Sequence, residues 1–492
     1  MRPFCILVTL VCLSSWTAIA ANQSRLPRST PEKQGVSPTG LLGFIDALDG
    51  IDALHSVMVI RHGQVIAEGW WTPYDAESNH ELYSLSKSFT STAVGMAISE
   101  GRLSLDDEVL KFFPNDAPAE PSGNLKAMRV RDLLTMSTGH QEEPVTSPDK
   151  MSPASFLAQA VPHKPGTHFK YNTAATFMLS AIVQKQTGQT VLDYLRPRLF
   201  EPLGISQPTW NTNFQGISLG GYGLRVRTED IAAFGQLYLQ RGRWHGRQIL
   251  PESWVDLATS RQVSNGSNPT SDWDQGYGFQ FWRCRHGAYR GDGAFGQYCI
   301  VLPEQDAVVA ITSGVRDMQA VLNVVWERLL PALKSKRQSS DPAARSQLIL
   351  RLANLSVRTP AGSSTAPVAP LAGRRYVFPD NPLKLEWIRI SEASGPGWVV
   401  SQSIGGTVSQ ISCGYAGWIK GRGYFGTFPD QAIAGSAAWT SEDTLTVKVA
   451  ATETPFYQTL RLRFQGQEIT LEAEANVGFG PTRQPSLTGR AE

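Results

Sequence analysis

The stretch ELYSLSKSFTSTAVGMAISEGRLSLDD, residues 81–107, decides how the rest of the chain is interpreted. From Ser88 onward its small and apolar positions are dense, which predicts a helix buried on most sides. Gly101 follows the last apolar position and predicts the end of that helix. If the first turn includes Ser84, this serine shares a face with Lys87, three residues later. Both would lie at the helix N-terminus, where backbone N–H groups and the positive end of the dipole are found.

A serine and a lysine in contact suit nucleophilic catalysis. A serine hydroxyl is a weak nucleophile unless a neighbouring group takes its proton. A lysine can be that neighbour when burial favours its neutral form. The alternative is a solvated, serine-rich helix start with an ordinary surface lysine. Because S-x-x-K is a short pattern, its spacing alone leaves both interpretations open.

Composition excludes several other classes of chemistry. The chain has 492 residues, of which 41% are hydrophobic and 18% charged, and these values are typical of a globular protein with two to four domains. The formal net charge of +2 gives no support for a nucleic acid partner. The sequence has no Walker loop, no G-x-G-x-x-G that leads from a strand into a helix, no C-x-x-C pair and no H-E-x-x-H. It therefore predicts no cofactor and no metal.

Residues 1–20 have the layout of a secretory signal peptide. Arg2 supplies a positive start, Phe4–Leu13 form an apolar stretch, and Ala18 and Ala20 offer small residues for cleavage. The apolar stretch is shorter than the ~20 residues of a spanning helix. We therefore expect an exported protein, periplasmic or extracellular. The alternative is an uncleaved N-terminal anchor, which is the one case in which a membrane would be a partner.

Cleavage would remove Cys5 and Cys12 and leave Cys284, Cys299 and Cys413. An exported protein can oxidise a pair of cysteines. Cys284 and Cys299 flank a glycine-rich region between two strand-like segments, so a cross-strand disulfide is one possibility. Three free, mostly buried thiols are the other, and no connectivity follows from sequence alone.

The pattern divides the chain into two folded regions. In residues 21–334, strand patterns near both ends enclose helical patterns, which predicts a sheet completed by both ends of one domain and covered by helices. The predicted strands include YGFQFW (277–282), QYCIVLP (297–303) and AVVAITSG (307–314). Residues 335–371 read as a connector with a helix over 342–355 and a linker. Residues 372–492 alternate in hydrophobicity and predict an all-β barrel or sandwich.

The first region resembles the class C β-lactamase-like serine hydrolases, a group that includes penicillin-binding D-aminopeptidases, DD-peptidases and carboxylesterases. The resemblance starts in YSLSKSFTSTAVGMAISEGRLSLDDEV and continues through five further landmarks in the same order over about residues 30–330. These landmarks are VRDLLTMSTG, KPGTHFKYNTAATFMLSAIVQKQTG, LFEPLGI, GGYGLRVRTEDIAAFGQLYL and GAFGQYCIVLPEQDAVVAITSG. The trailing β region is similar to accessory C-terminal domains of some members. The resemblance implies an α+β fold of the β-lactamase/penicillin-binding type.

The resemblance implies that Ser84 is the acylating nucleophile, with Lys87 beside it. It also implies that Tyr171, in the Y-x-N motif, is a general base or passes a proton to the leaving group. A phenol beside an ammonium ionises more easily, so we expect Lys87 to lower the pKa of Tyr171. The alternative for Tyr171 is a core aromatic residue whose hydroxyl satisfies a polar atom.

Two motifs depart from the family pattern. Thr173 stands where asparagine is usual, and Asn172 comes one place early; both are candidate substrate-binding residues. The third element is a strand that usually reads K-T-G or H-x-G. Here it is Gly291–Phe295, with Asp292, Gly293, Ala294 and Phe295 as candidate binding residues.

In this family, backbone N–H groups of the nucleophile and of that strand form the oxyanion hole, which needs no particular side chain. Ser84 with Ala294 or Phe295 can therefore supply the donors. Asp292 would repel an anionic substrate if its side chain faces the cleft. The alternative is that Asp292 is a turn residue, since Gly-Asp-Gly also suits a turn.

The sequence thus predicts an exported serine hydrolase that cleaves an ester or a small amide or peptide through an acyl-enzyme. A β-lactamase or a D-amino-acid peptidase is the alternative within the same chemistry. A non-catalytic binding or sensor protein on the same fold is the alternative from another class.

Overall fold

The computed structural model describes residues 26–333, 340–365 and 373–492. The predicted signal peptide, with Cys5 and Cys12, lies outside the described residues, as do parts of the connector. Within the three described ranges, none of the helices combines the length and the apolar character needed to span a membrane.

The first region contains short and long helices between strands. Its strands, in chain order, are β1 (Leu54–Arg61), β2 (Gln64–Trp70), β3 (His80–Glu81), β4 (Thr209–Trp210), β5 (Leu224–Val226), β6 (Arg243–Trp244), β7 (Arg247–Gln248), β8 (Trp282–Arg283), β9 (Tyr289–Gly293), β10 (Gln297–Leu302) and β11 (Ala307–Ser313). Its α-helices are α1 (Pro38–Asp49), α2 (Ser86–Ser99), α3 (Gly123–Ala127), α4 (Val130–Leu134), α5 (Pro153–Leu157), α6 (Thr173–Thr187), α7 (Val191–Leu195), α8 (Glu201–Leu203), α9 (Thr228–Leu239), α10 (Glu252–Thr259), α11 (Met318–Val324) and α12 (Leu330–Leu333). The connector contributes α13 (Pro342–Ala353).

The main sheet is antiparallel, with strand order β2-β1-β11-β10-β9-β8. β1 pairs with β11, Val57 opposite Ile311, so both ends of the region complete one sheet, as the sequence predicts. Met58 and Ile60 enter the core on one face of β1, while Val57 and Val59 enter the core on the other. This alternation explains why the strand has a nearly continuous apolar sequence: both faces are covered.

Helices cover the two faces of the sheet. α9 packs against β1, β10 and β11 on one face. α1 and the π-helical turn Val325–Leu329, which continues α11, pack together in the core of the opposite face. This arrangement of an antiparallel sheet covered by helices confirms the predicted fold class.

One predicted strand is wrong. Of YGFQFW, only Trp282 enters a regular strand, while Tyr277 forms isolated bridges to Val263 and Trp282. Gln280 has a positive φ of 65°, which interrupts an extended chain. Its side chain lies under α6, where Oε1 accepts a hydrogen bond from Thr176 at 2.6 Å.

The C-terminal region is a closed, mainly antiparallel barrel with one parallel strand pairing. Its strands are β12 (Arg375–Val377), β13 (Leu385–Glu392), β14 (Gly397–Ile404), β15 (Thr407–Gly414), β16 (Ile419–Phe425), β17 (Phe428–Trp439), β18 (Thr444–Ala451), β19 (Tyr457–Gln465), β20 (Glu468–Ala475) and β21 (Leu487–Ala491). β15 pairs with both β14 and β17, so nine strands form a closed ring. Among the described residues, β16 pairs only with β17, as a hairpin outside this ring. Closure removes the exposed strand edges that an open sheet would leave. Of the two predicted forms, barrel and sandwich, the barrel is confirmed.

The three described cysteines are free and buried. Cys284 packs in the core on one face of the main sheet, where its sulfur lies 3.1 Å from Arg290 Nη1. Cys299 packs in the core on the other face, beneath Ile231. The possible disulfide between Cys284 and Cys299 is therefore absent, because the two thiols lie on opposite sides of the sheet.

Candidate active site

Ser84 lies in a single 3₁₀ turn, Tyr83–Leu85, that leads directly into α2. Leu82 N donates to Leu224 O at 2.9 Å, which fixes the start of the turn against β5. Tyr83 has a left-handed φ of 47°, unusual for a residue with a side chain. Backbone strain of this kind, held by the surrounding structure, clusters at functional sites. Ser84 is half-buried in the middle of this turn.

Lys87 points its ammonium nitrogen at three oxygens. Nζ lies 2.9 Å from Ser84 Oγ, 3.3 Å from Thr173 Oγ1 and 2.8 Å from Gly221 O. The side chain is 1% exposed, which excludes the alternative of a solvated surface lysine. The i, i+3 contact expected from the sequence is therefore present.

Burial changes the proton affinity of this lysine. Desolvation lowers the pKa of Lys87 from 10.5 to about 7, although the carboxylates of Glu143 and Asp292 oppose the change. A substantial fraction of Lys87 is thus neutral near neutral pH. A neutral amine 2.9 Å from Ser84 Oγ can accept the hydroxyl proton.

Tyr171 lies beside the same pair. Lys87 Nζ is 4.9 Å from the centroid of its ring, and the Trp282 ring stacks on it with a centroid distance of 5.5 Å. Burial, followed by the charge of Asp292, raises the pKa of Tyr171, while a hydrogen bond with Ser84 partly opposes this. The expected lowering by Lys87 is therefore wrong: desolvation dominates, and Lys87 itself is driven toward its neutral form. Tyr171 is a phenol here, suited to donating a proton.

Asn172 does not face the cleft. It is fully buried at the N-cap of α6, where Oδ1 accepts from Ala175 N at 3.0 Å and Nδ2 reaches Thr138 Oγ1 at 3.4 Å. The sequence-based prediction that Asn172 binds substrate is contradicted by this geometry, because asparagine is a preferred N-cap and both polar atoms are in use. Thr173 does reach the site through its hydroxyl, and its backbone N donates to Glu143 Oε1 at 2.5 Å.

Asp292 lies on β9 opposite Tyr298, so it is not a turn residue. Its carboxylate is 6% exposed and pairs with Arg290, with Nη2–Oδ2 at 2.8 Å and Nε–Oδ2 at 2.9 Å. Burial raises the pKa of Asp292, and the Arg290 guanidinium opposes this. The two residues are two apart on one strand and therefore share a face. The expectation of an isolated repelling carboxylate needs correction, because a buried cation neutralises it.

Gly293 ends β9 next to the 3₁₀ turn that contains Ser84. A Cβ on Gly293 would lie 2.0 Å from Leu82 O, so only glycine allows this approach of β9 to the segment that carries Ser84. Ala294 and Phe295 follow in the turn that leads to β10, and Phe295 has a φ of 67°. The strand is thus adjacent to the turn that contains Ser84.

Sequence reasoning missed three residues of this site. Gly221 supplies a carbonyl to Lys87, Glu143 accepts from Thr173 N, and Arg290 pairs with Asp292. The signal for Arg290 was available, since alternate residues of a strand share a face. Two adjacent glycines, Gly220 and Gly221, are a weaker sequence signal of a close backbone approach. The structure shows the reason, because a Cβ on Gly221 would lie 2.6 Å from Thr173 Cγ2. Glu143 lies in a loop whose path the sequence does not indicate.

Across residues 26–333, 340–365 and 373–492, no three His, Cys, Asp or Glu side chains are grouped so that they could hold a metal ion.

Comparison with known proteins finds matches to the first region of the chain. The model of the Beta-lactamase family matches residues 53–323, more than half of the chain. The 6-aminohexanoate-dimer hydrolase of Paenarthrobacter ureafaciens is 25% identical over 285 residues, which cover 53% of this chain and 72% of that protein. An Escherichia coli K12 protein named "Putative D-alanyl-D-alanine carboxypeptidase" is 27% identical over 247 residues, or 41% of this chain and 54% of that protein.

A crystal structure of a Bacteroides dorei protein titled "putative beta-lactamase" is similar in fold, with a TM-score of 0.50 and 16% identity. The match covers 58% of this chain and 98% of that one.

Proposed function

The chain belongs to the Beta-lactamase family of serine hydrolases, and on that premise we propose that it hydrolyses an ester or a small amide through an acyl-enzyme on Ser84. The observation that carries this proposal is the buried lysine nitrogen 2.9 Å from the serine oxygen, with a pKa of about 7. An ordinary surface lysine is protonated at neutral pH and cannot accept a proton.

In the acylation step, Ser84 Oγ attacks the substrate carbonyl while neutral Lys87 takes the hydroxyl proton. The resulting tetrahedral oxyanion is stabilised by the backbone N–H of Ser84 and that of Ala294 or Phe295. Donors of this kind contribute roughly 2.7–4 kcal/mol each to the transition state. When the bond to the leaving group breaks, Tyr171 donates its phenolic proton to the departing oxygen or nitrogen and regains one from Lys87.

In deacylation, water attacks the acyl carbonyl and gives its proton to Lys87. Ser84 Oγ leaves as the acid product is released, and it recovers a proton from the same lysine. The hydrogen bonds from Lys87 Nζ to Thr173 Oγ1 and Gly221 O hold the nitrogen in place between the two half-reactions. The serine, lysine and tyrosine thus return to their starting protonation states.

The substrate class follows from the charges around the serine. Arg290 offsets the carboxylate of Asp292, and the partly protonated Lys87 offsets part of the charge of Glu143, so the site carries little net charge. A neutral ester or amide suits such a site. The 6-aminohexanoate-dimer hydrolase, named for an amide substrate, is similar over much of the hydrolase region and supports the inclusion of amides. A D-amino-acid peptide or β-lactam is the second candidate, supported by the name of the Escherichia coli relative.

Export to the periplasm or the extracellular space is part of the proposal. It rests on the charge and apolar pattern of residues 1–20. Secretion from a bacterial host followed by intact-mass analysis tests it: a chain that begins near Ala21 is expected, and a chain that retains Met1–Ala20 would contradict it.

The activity is tested with a substrate panel: 4-nitrophenyl esters, D-aminoacyl anilides and nitrocefin, each with wild type and Ser84→Ala. We expect turnover of at least one ester or anilide by wild type and none by Ser84→Ala, which loses one hydroxyl and keeps the fold. The control variant is Lys170→Ala. Lys170 is partly exposed and adjacent to Tyr171 in the sequence, and its removal should leave wild-type turnover. Full activity in Ser84→Ala would contradict the proposed mechanism.

A further inference from the structure

Two aromatic residues of the hydrolase region belong to the two backbone segments that meet beside Ser84. Tyr83 directly precedes Ser84, and Phe295 lies in the turn after β9. Their rings meet edge to face with centroids 5.6 Å apart. Both residues have left-handed φ angles, 47° and 67°, so each side chain is held in an unusual backbone conformation beside the candidate site.

The C-terminal barrel adds two rings to this pair. Phe456, between β18 and β19, lies 6.3 Å from the Tyr83 ring and 5.5 Å from the Phe295 ring. Phe479, after β20, lies 5.6 Å from Tyr83 and 4.9 Å from Phe295. We name these four residues, Tyr83, Phe295, Phe456 and Phe479, the aromatic rim.

Hydrogen bonds hold the barrel loop that carries Phe456 in place. Glu81 N, in the strand just before the nucleophile turn, donates to Glu453 O at 2.9 Å. A Cβ on Gly314 would lie 2.0 Å from Pro455 O, so the residue before Phe456 is in close contact with the end of β11. The ring is therefore positioned by backbone contacts across the two regions.

The loop that carries Phe479 is fixed at both ends. Asn476 Nδ2 donates to Gly314 O at 2.8 Å, and Arg316 Nη2 donates to Thr482 Oγ1 at 2.7 Å. The Phe479 side chain is nevertheless 78% exposed. Phe479 and the partly exposed rings of the other three residues form one contiguous apolar patch, and contiguous exposed apolar patches mark binding surfaces.

We infer that the aromatic rim binds an aromatic or bulky apolar group of the substrate, next to the bond that is cleaved; this inference rests on the proposed function of Ser84. The barrel is then a determinant of specificity, because it supplies two of the four rings. Aromatic rings in edge-to-face or offset contact gain free energy beyond simple burial. A substrate without such a group would bind through the reacting centre alone.

The test uses Phe479→Ala and three esters that differ only in where a phenyl ring stands. Ethyl acetate has no ring, ethyl phenylacetate has one on the acyl side, and 2-phenylethyl acetate has one on the leaving-group side. Proton release in a pH-stat gives kcat and KM for each. We expect Phe479→Ala to lower kcat/KM for at least one ring-bearing ester by roughly threefold to tenfold, mainly through KM, which is the range of a single aromatic pair. Ethyl acetate should stay within about twofold.

Two control variants separate the rim from general effects. Phe479→Tyr keeps a ring and should show the wild-type preference for the ring-bearing ester. Phe428→Ala removes another exposed phenylalanine of the barrel, 66% exposed at the start of β17, and should change no ester.

The outcomes distinguish the inference from its premise. If wild type hydrolyses the esters but the ratio of ring-bearing to ring-free kcat/KM is unchanged in Phe479→Ala, the aromatic rim is not a substrate site, while the proposed hydrolase remains. An equal loss for all three esters would also contradict the inference. Absence of hydrolysis and of Ser84 labelling in wild type would contradict the proposed function and the inference with it.

Discussion

The pH dependence of acylation follows from the burial of Lys87. With a pKa of about 7, half of this lysine is neutral at pH 7, about a tenth at pH 6 and about a hundredth at pH 5. Because the neutral form takes the proton of Ser84, kcat/KM for a neutral ester should fall about tenfold per pH unit below 7 and level off above 8. A lysine at its ordinary pKa of about 10.4 would instead give a rate that keeps rising beyond pH 9.

Removing a charge near Lys87 should shift the acidic limb of the profile, the range in which kcat/KM falls as the pH decreases, in a direction that the structure predicts. Glu143 raises the pKa of Lys87, so Glu143→Gln, which keeps an oxygen for Thr173 N, should move the limb to lower pH. Since Glu143 is exposed, the displacement should shrink as ionic strength rises. Glu142→Gln is the matched control: this neighbour is also exposed, its side chain is 84% accessible, and it should leave the limb unchanged.

The assay is kcat/KM for a neutral, non-ionising ester between pH 5 and 10, with unfolding monitored at each pH. Its substrate has no titrating group, so the limb reports the free enzyme. A profile that is flat from pH 5 to 9, or a limb centred above pH 9, would refute the assignment of Lys87 as the base. A limb that moves to higher pH in Glu143→Gln would refute the electrostatic explanation.

Three further predictions concern the same residues. Lys87→Ala and Tyr171→Phe should each lower kcat at least ~10²-fold, the lower range for positioned acid–base groups, and a loss under threefold would remove that residue from the mechanism. Lys87→Met should raise the free energy of unfolding more at pH 6 than at pH 9. The pKa of Lys87 is about 7 in the folded state and 10.5 in the unfolded state, so wild type loses the most stability below pH 7, and this loss declines as the pH rises toward 10.5. At about 1.4 kcal/mol per pH unit, the gain in Lys87→Met should be about 3 kcal/mol larger at pH 6 than at pH 9, as measured by urea titration. A gain that does not depend on pH would contradict the burial effect. Arg290→Met should destabilise by about 3–5 kcal/mol because Asp292 stays buried and unpaired, and adding Asp292→Asn should recover most of it; no recovery in the double variant would show that the pair is not the cause.

Local periodicity predicted the contact between Ser84 and Lys87. Ser84 and Lys87 are three residues apart at the start of a buried helix, and that spacing alone brings their polar atoms into contact. The antiparallel sheet completed by both ends of the first region was also predictable, because β1, β10 and β11 are short apolar runs bounded by turn residues. The prediction of a strand over 277–282 failed because Gln280 adopts a positive φ and its side chain bonds to Thr176 beneath α6.

The electrostatics of the site depend on burial and could not be read from residue types. A lysine near a tyrosine suggests a lowered phenol pKa, yet desolvation acts on both groups and reverses the expectation for Tyr171. The residue type of Asp292 suggests an isolated carboxylate. In the structure, Arg290 lies two positions earlier on the same face of the strand and pairs with it. The contribution of Phe479 depends on how the barrel docks, almost 400 residues away from Tyr83 in the chain, and no local pattern reports it.

The central claim, that Ser84 is acylated during turnover, is tested most directly by covalent labelling with a fluorophosphonate followed by peptide mass spectrometry. We predict one equivalent of label per chain, located on the peptide that contains Ser84, and none in Ser84→Ala or in urea-unfolded wild type. Preincubation with a substrate ester should slow the labelling. Absence of label on folded wild type, or label on a different serine with Ser84 unmodified, would contradict the claim.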